Sequence, residues 1–333
     1  MVKRIVSGVQ PSGKLTIGNY LGAIKSFVKL QEEFSDAEFF FFVADLHAIT
    51  VAQDRLKLRQ HIREVAAMYI ACGLDPEKVN IFIQSEVPAH NQLGYIMEST
   101  AYIGEMERMT QYKDKRIRQV EGIKTSLLTY PALMAADILL YDADLVPIGD
   151  DQNQHLELTR VLGERFNNQY GKTFEIPKAY YNKEVIRIKS LADPLKKMSK
   201  SDEVERSYIL LIDEDNRIRN KIGSAVTDSD TKIYYDEANK PGISNLLSIY
   251  SGFSEKPIPE IEQMYQNKSY QEFKVDLGNL IVNYLKPIKD KYEEILKSKY
   301  LDDVLDRGRN RATIIANRKL ERVYHRVGLG RKK

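Results

Sequence analysis

The sequence predicts an α/β protein: a Rossmann-like, doubly wound parallel sheet with a second, all-helical domain. Three observations predict it. Phe39–Val43 and Val79–Ile83 are short, mainly apolar runs without regular polar alternation, the pattern of parallel strands covered on both faces. Between and after them, apolar residues recur at helical spacing, so strands and helices alternate as in βαβ units. Beyond about Ser201 no comparable strand follows, and the remaining segments read as helices.

Each element follows from its local pattern. Ile5-Val6-Ser7-Gly8-Val9 is a first strand that should stop at Gln10-Pro11-Ser12-Gly13, a turn composition. From Gly18, the spacing of Leu21, Ile24, Phe27 and Val28 predicts an amphipathic helix to about Phe34. Phe39–Val43 is the second strand, Arg55–Cys72 a helix, and Val79–Ile83 the third strand. Pro131–Tyr141 reads as a helix with proline at its start, Leu145–Ile148 as a strand and Gln152–Phe166 as a helix. Further helices are expected over 217–226, 243–250, 258–265 and 270–285. Pro287 should interrupt the pattern before Tyr292–Lys299, and a long helix from Leu301 should end near Val327 at Gly328 and Gly330. The domain boundaries expected are 1–192 for the sheet domain, 193–290 for the helical domain, and 291–333 for a basic C-terminal helix packing back on the first domain.

Composition excludes several classes. The chain has 333 residues, 43% of them apolar, enough for about two domains with substantial cores. Its longest apolar run, Phe39–Ala44, is far shorter than the roughly 20 residues of a membrane span. MVKRIVSGVQPSGK turns to Gly, Gln, Pro and Ser before an apolar stretch develops, so no secretory signal is expected. Cys72 is the only cysteine, which leaves no internal disulfide and no cysteine metal cage. A cytoplasmic protein is the expectation. The net charge of +3 is uneven: residues 307–333 hold ten Lys and Arg against Glu321 alone, a net +9, which leaves −6 over residues 1–306. A polyanion partner is one reading of that end, and a solvated basic helix face is the other.

Chemistry concentrates first at the end of the first strand, where open α/β sheets bind ligands. Gly8 to Lys14 nearly spells the phosphate-binding loop G-x-x-x-x-G-K-[ST], but Leu15 stands where a hydroxyl should hold magnesium. With Asp45 imitating the acid that follows a second strand, a P-loop ATPase is a rival reading. It would release inorganic phosphate with no second substrate. A non-catalytic RNA-binding protein built around the basic end is another rival, and it predicts salt-sensitive binding without ATP chemistry.

The stretch Pro11-Ser12-Gly13-Lys14-Leu15-Thr16-Ile17-Gly18-Asn19 resembles the HIGH region of class I aminoacyl-tRNA synthetases, with Thr16 and Asn19 in place of the histidines. Lys197-Met198-Ser199-Lys200-Ser201 is a complete K-M-S-K-S, the second signature of that class, in the right order. Over nearly its full length the chain is similar to the bacterial tryptophanyl-tRNA synthetases. The resemblance runs through Q-P-S-G…T-I-G-N, Gln84-Ser85-Glu86-Val87-Pro88-Ala89-His90, Met134-Ala135-Ala136-Asp137-Ile138-Leu139, Gly149-Asp150-Asp151-Gln152 and Ser224–Ser229. In that family the T-I-G-N form is usual. The tyrosyl enzymes share the fold and are the alternative. They ordinarily end in an additional RNA-binding domain, for which 333 residues leave little room.

Local chemistry bears on the choice. Tyr130, Met134, Asp137, Ile138 and Tyr141 fall at spacings 0, 4, 7, 8 and 11 and share one helix face. A carboxylate in a mostly apolar stripe needs a donor. Indole offers one N–H and no acceptor, whereas an ionised Asp only accepts, so Asp137 and a tryptophan side chain are matched. Alternatively, Asp137 pairs with an arginine or a backbone N–H of the core.

The resemblance implies ATP and L-tryptophan as substrates, magnesium held mainly by the phosphates of ATP with no protein-bound metal cluster, tRNA(Trp) as partner, and a homodimer. It implies catalytic roles for Lys115, Lys197, Lys200, Asn19 and Thr16. ATP would meet Gln10, Pro11, Ser12, Gly18, Asn19, Gly149, Asp150, Asp151, Ile188, Lys197, Met198, Ser199, Lys200 and Ser201. Tryptophan would meet Asp137, Met134, Tyr130, His47, Gln152, Val146 and Ile148. His47 could equally cap a helix, and Asp151 could cap the helix from Gln152 rather than hold ribose. The apolar positions Leu93, Ile96, Met97, Tyr102 and Ile103 are expected at the subunit contact or in the core.

Overall fold

Five strands, β1 (Arg4–Val9), β2 (Glu38–Val43), β3 (Val79–Ile83), β4 (Leu145–Pro147) and β5 (Lys178–Tyr180), form one sheet in the order β3-β2-β1-β4-β5, parallel at every pairing. This computed structural model describes residues 2–117, 122–149, 152–181, 186–200 and 202–331, without the side chains of 114–117. Phe39 to Val43 are buried throughout, as an inner strand covered on both faces requires. The chain builds outward from β1 to β3, then returns to the other side of β1 with β4. The order therefore reverses between β1 and β4, which is the switch point of a doubly wound sheet. β5 was not expected. It has three residues, Lys-Ala-Tyr, and no apolar run.

The helices are α1 (Ile17–Asn19), a π-helical turn (Tyr20–Ile24), α2 (Lys25–Glu33), α3 (Asp45–Ala48), α4 (Arg55–Ala71), α5 (Ala89–Thr100), α6 (Ile103–Glu107), α7 (Thr110–Ile117), α8 (Thr125–Leu139), α9 (Asn153–Tyr170), α10 (Asp215–Gly223), α11 (Pro241–Ser254), α12 (Ile258–Met264), α13 (Tyr270–Lys297) and α14 (Tyr300–Val327). Asp54 caps α4 by accepting from the Leu56 and Lys57 N–H groups, and Gly328, at φ 86°, ends α14 in the left-handed region. Both proline expectations are corrected. α8 begins at Thr125 and carries Pro131 inside it, and α13 runs unbroken through Pro287. In α13 the buried residues Phe273, Leu277, Ile281, Leu285, Ile288, Tyr292 and Ile295 make one stripe across the proline. Burial of that stripe outweighs the ~3 kcal/mol that an interior proline costs.

The chain forms two compact units. The first comprises Met1–Gly13, Lys29–Asn182 and Ser298–Lys333; the second comprises Lys14–Val28 and Lys183–Lys297. Residues 14–28 thus group with the helical unit, although the sequence places them between β1 and β2. In that unit α13 packs against α10 and α11, and Tyr20 stacks on Phe253 and bonds through its hydroxyl to that of Tyr284 at 2.6 Å. Among the described residues no helix is long and apolar enough to cross a membrane.

In the first unit α14 lies against β3 and α5. Its cations are engaged there: Arg307 with Glu77 (2.8 Å), Arg311 with Glu38 (2.6 Å), and Lys319 with Asp142 (2.5 Å) and the Thr173 carbonyl (2.7 Å). Arg309 pairs with Asp306 within the helix. Among the described residues, four of the ten cations of residues 307–333 are therefore ion-paired inside the unit. Gly308 permits the approach, because a Cβ there would sit 1.9 Å from the Ile81 carbonyl oxygen. Gly308→Ala should lower stability by about 1–3 kcal/mol through overpacking, read as a lower melting temperature. An unchanged melting curve would show that α14 has room to shift.

Candidate functional site

The carboxyl ends of β2, β3 and β4 carry most of the first cluster. β2 leads into α3, which bears His47. β3 leads into a 3-10 turn, Gln84–Glu86, and then α5, whose first turn bears His90. β4 supplies Val146, with Ile148 just beyond. α8 sets Tyr130, Met134, Asp137 and Ile138 on the face that the spacing predicts, and Tyr141 follows just after it. Val146, Ile138 and Tyr130 belong to the core of this unit, with Met134 and Ile148 partly buried against it.

Asp137 is 1% exposed and accepts from three side chains. His47 Nε2 lies 2.7 Å from Oδ2, Gln84 Nε2 2.7 Å from Oδ1, and His90 Nδ1 2.6 Å from Oδ1. The alternative of a core partner thus holds in part, although the donors are imidazole and amide rather than arginine or backbone. Burial by itself pushes the Asp137 carboxyl up, but His47 and His90 outweigh it and hold it far below the usual carboxylate range. The carboxylate is therefore ionised inside the core. Burial, and then the Asp137 charge, push the Tyr141 phenol up, so it stays an O–H donor. Of about four lone-pair directions on a carboxylate, the described residues use both on Oδ1 and one on Oδ2.

Around this carboxylate the other expected tryptophan contacts fall into place to different degrees. His47 is buried, its ring stands edge-on to Tyr130 at 6.2 Å, and its carbonyl accepts from the Thr50 hydroxyl. Tyr130 Oη lies 2.6 Å from His155 Nε2. Gln152 stands at the start of α9, its N–H donating to the Gly149 carbonyl. Gln84 and His90 were not singled out as site residues. Their position directly past the third strand was the available signal, since ligands gather at carboxyl ends.

The second cluster lies in the helical unit. Thr16 and Asn19 form a capping box on α1: the Asn19 N–H donates to the Thr16 hydroxyl (3.2 Å), and the Thr16 N–H and hydroxyl donate to Asn19 Oδ1 (2.9 and 3.0 Å). Gly18 faces Met198 and Ile188, to which an added Cβ would come within 3.6 and 3.7 Å. The two signature motifs therefore meet at this glycine. Three more contacts fasten the loop: the Met198 N–H donates to the Ile188 carbonyl (3.1 Å), the Ile17 N–H to the Ile209 carbonyl (2.9 Å), and the Leu211 N–H to the Leu15 carbonyl (2.9 Å). Met198 is buried as the anchor, while Lys197 and Ser199 are exposed. Lys200 is half-buried, and burial lowers its ammonium to about 8.

Gln10, Pro11 and Ser12 follow β1 and Gly149 follows β4, all in the first unit, whereas Thr16, Gly18, Asn19, Ile188 and Lys197–Lys200 belong to the second. Asp150, Asp151, Ser201 and the side chain of Lys115 lie outside the described residues. Asp45, which a P-loop needs for magnesium, accepts instead from the Ser85 N–H (3.0 Å) and hydroxyl (2.5 Å). Leu93, Ile96 and Met97 are core residues rather than surface contacts, while Tyr95, Tyr102 and Ile103 are exposed.

A tryptophan–tRNA ligase of Bacillus subtilis is 55% identical over 333 residues, covering all of both chains. The crystal structure of tryptophanyl-tRNA synthetase from Mycoplasma pneumoniae superposes with a TM-score of 0.92 at 39% identity, covering 99% of each chain. That from Campylobacter jejuni, complexed with ADP and tryptophan, superposes with a TM-score of 0.82 at 36% identity, covering 98% of this chain and 100% of that one. A family model described as tRNA synthetases class I (W and Y) matches residues 2–286. With both signature motifs joined in one unit and that match spanning most of its length, the chain belongs to the class I tRNA synthetases of the W and Y family.

Proposed function

We infer that the chain is a tryptophan–tRNA ligase. It activates L-tryptophan with ATP to tryptophanyl-adenylate, releasing pyrophosphate, and passes the tryptophan to the 3′ end of tRNA(Trp). The observation that carries the reading is Asp137, an ionised acceptor held in an apolar wall with one Oδ2 lone pair left for a donor. Indole N–H meets that requirement, and phenylalanine does not. Met134, Tyr130, Val146 and Ile148 are proposed to wall the indole, with His47 and Gln152 towards the amino acid's polar end.

The attacking group is the tryptophan carboxylate, so no protein nucleophile is needed. The enzyme's share is positioning and stabilisation of negative charge moving onto pyrophosphate. Lys197, Lys200 and Lys115 are proposed for the phosphates, and magnesium enters as part of the substrate on ATP. The nucleotide is proposed to meet Gln10, Pro11, Ser12, Gly149, Asp150 and Asp151, with Thr16, Gly18, Asn19, Ile188, Met198, Ser199 and Ser201 at the two signature motifs. Since Thr16 and Asn19 bond to each other, their first task is to shape the α1 start, whose N–H groups favour anions.

Residues 1–192 are proposed as the catalytic part, 193–290 as the part that recognises the anticodon, and 291–333 as a structural helix. The setting is proposed to be cytoplasmic. A homodimer is proposed with Tyr95, Tyr102 and Ile103 in its contact, since all three apolar side chains are exposed along α5 and α6. Ile103→Glu should then halve the mass measured by sedimentation, and a dimeric variant would remove this patch from the contact.

The activity is tested by pyrophosphate exchange into ATP with tryptophan, with tyrosine and with no amino acid. Exchange should require tryptophan. Exchange with tyrosine in its place would move the chain to the tyrosyl branch, and phosphate release without any amino acid would restore the ATPase reading.

A further inference from the structure

Around Asp137 the donors that reach the carboxylate are fixed by their own partners. The Leu46 N–H donates to Gln84 Oε1 at 3.1 Å, so the amide of Gln84 is turned with Nε2 towards Asp137 Oδ1, 2.7 Å away. An ionised carboxylate only accepts, so His90 must carry its proton on Nδ1, 2.6 Å from the same Oδ1. His90 Nε2 lies 2.8 Å from the Tyr141 hydroxyl, which holds the far side of the ring. Gln84 and His90 are both 0% exposed, as is Tyr141, and the rings of Phe42 and Phe82 lie within 6.0 Å of the His90 ring.

The arrangement is unsymmetrical. Two donors saturate Oδ1, and among the described residues Oδ2 meets His47 alone, so a further donor is best received at Oδ2. We propose that Gln84, His90 and Tyr141 are positioning residues for amino-acid selection: they lock the Asp137 carboxylate by Oδ1 and so present Oδ2 to the indole N–H. The proposal rests on the reading that Asp137 receives tryptophan, and it assigns a task to three side chains that touch no substrate themselves. Rigid orientation matters because a hydrogen bond weakens steeply when it is bent. A carboxylate free to rotate would accept from indole in only part of its orientations and would also tolerate rings that carry no donor.

The test compares L-tryptophan with β-(benzo[b]thienyl)alanine, in which sulfur replaces the indole N–H. The readout is the ratio of kcat/KM for the two in pyrophosphate exchange, a ratio that does not depend on how much of a variant is correctly folded. Gln84→Met, His90→Gln and Tyr141→Phe should each lower the ratio, by roughly fivefold for the first two, a partial loss of the roughly tenfold or more that one hydrogen bond to a charged acceptor contributes. The change should enter through the KM for tryptophan, with the KM for ATP unmoved. Tyr141→Phe removes a single oxygen and keeps the test open if the other two fail to fold. A ratio that collapses in Asp137→Ala but holds at the wild-type value in all three variants overturns the positioning role alone. A ratio unchanged in Asp137→Ala removes indole from Asp137, and the inference falls with that reading.

Discussion

Lys200→Ala should lower tryptophan-dependent pyrophosphate exchange by about 10²–10³-fold, the scale for loss of one charge-stabilising donor in a site, while tryptophan binding stays near wild type. The ammonium is half-buried beside an anchored Met198, and burial alone lowers it to about 8. A cation held at that expense gains most when phosphate oxygens arrive, because they restore its charge where little water competes. The sign of the pH dependence follows. Without ATP, Lys200 is charged below about 8 and neutral above it, and bound ATP pulls the proton back. ATP affinity should therefore weaken as pH rises through about 8 in the wild type, and Lys200→Ala should flatten that dependence. Calorimetric titration in two buffers of different ionisation heat would measure the proton taken up. An exchange rate like the wild type's in Lys200→Ala would remove the lysine from the reaction.

Asp137→Ala should abolish measurable tryptophan binding in the range where the wild type saturates. A hydrogen bond to a charged acceptor contributes about 1.5–3 kcal/mol, or roughly 10–100-fold in affinity. The protein contains no tryptophan among its 31 aromatic residues, so the ligand's own emission can be followed against a tyrosine background. Stability should fall as well, by about 3–5 kcal/mol, since His47, Gln84 and His90 would be left with buried donors facing a void. The two readouts separate the roles. A protein that melts lower but binds tryptophan normally would make Asp137 a core residue only.

Much of this was open to a reader of the sequence. Phe39–Val43 is uninterrupted apolar sequence, and a run with no polar side has one stable place, inside a sheet covered twice. The K-M-S-K-S motif and the Asp137 stripe were equally plain, because adjacent residues or one helical period carry them. The misses have physical causes. Pro131 and Pro287 lie inside helices because the burial of neighbouring stripes overrides a local penalty. β5 is too short to show a period. The basic end looked free because its acids, Glu38, Glu77 and Asp142, are far away in the chain.

The sequence by itself determined the first four strands, most of the longer helices, the two motifs and the carboxylate on an apolar face, since each depends on residues a few positions apart. Tertiary structure decided which donors reach that carboxylate, which of its oxygens stays available, and that the T-I-G-N turn meets K-M-S-K-S at Gly18. His47, Gln84 and His90 stand 90, 53 and 47 residues from Asp137. Nothing local specifies such pairings. They exist because parallel strands bring their carboxyl ends to one edge, and a buried charge there is stable only where donors from several of those ends converge on it.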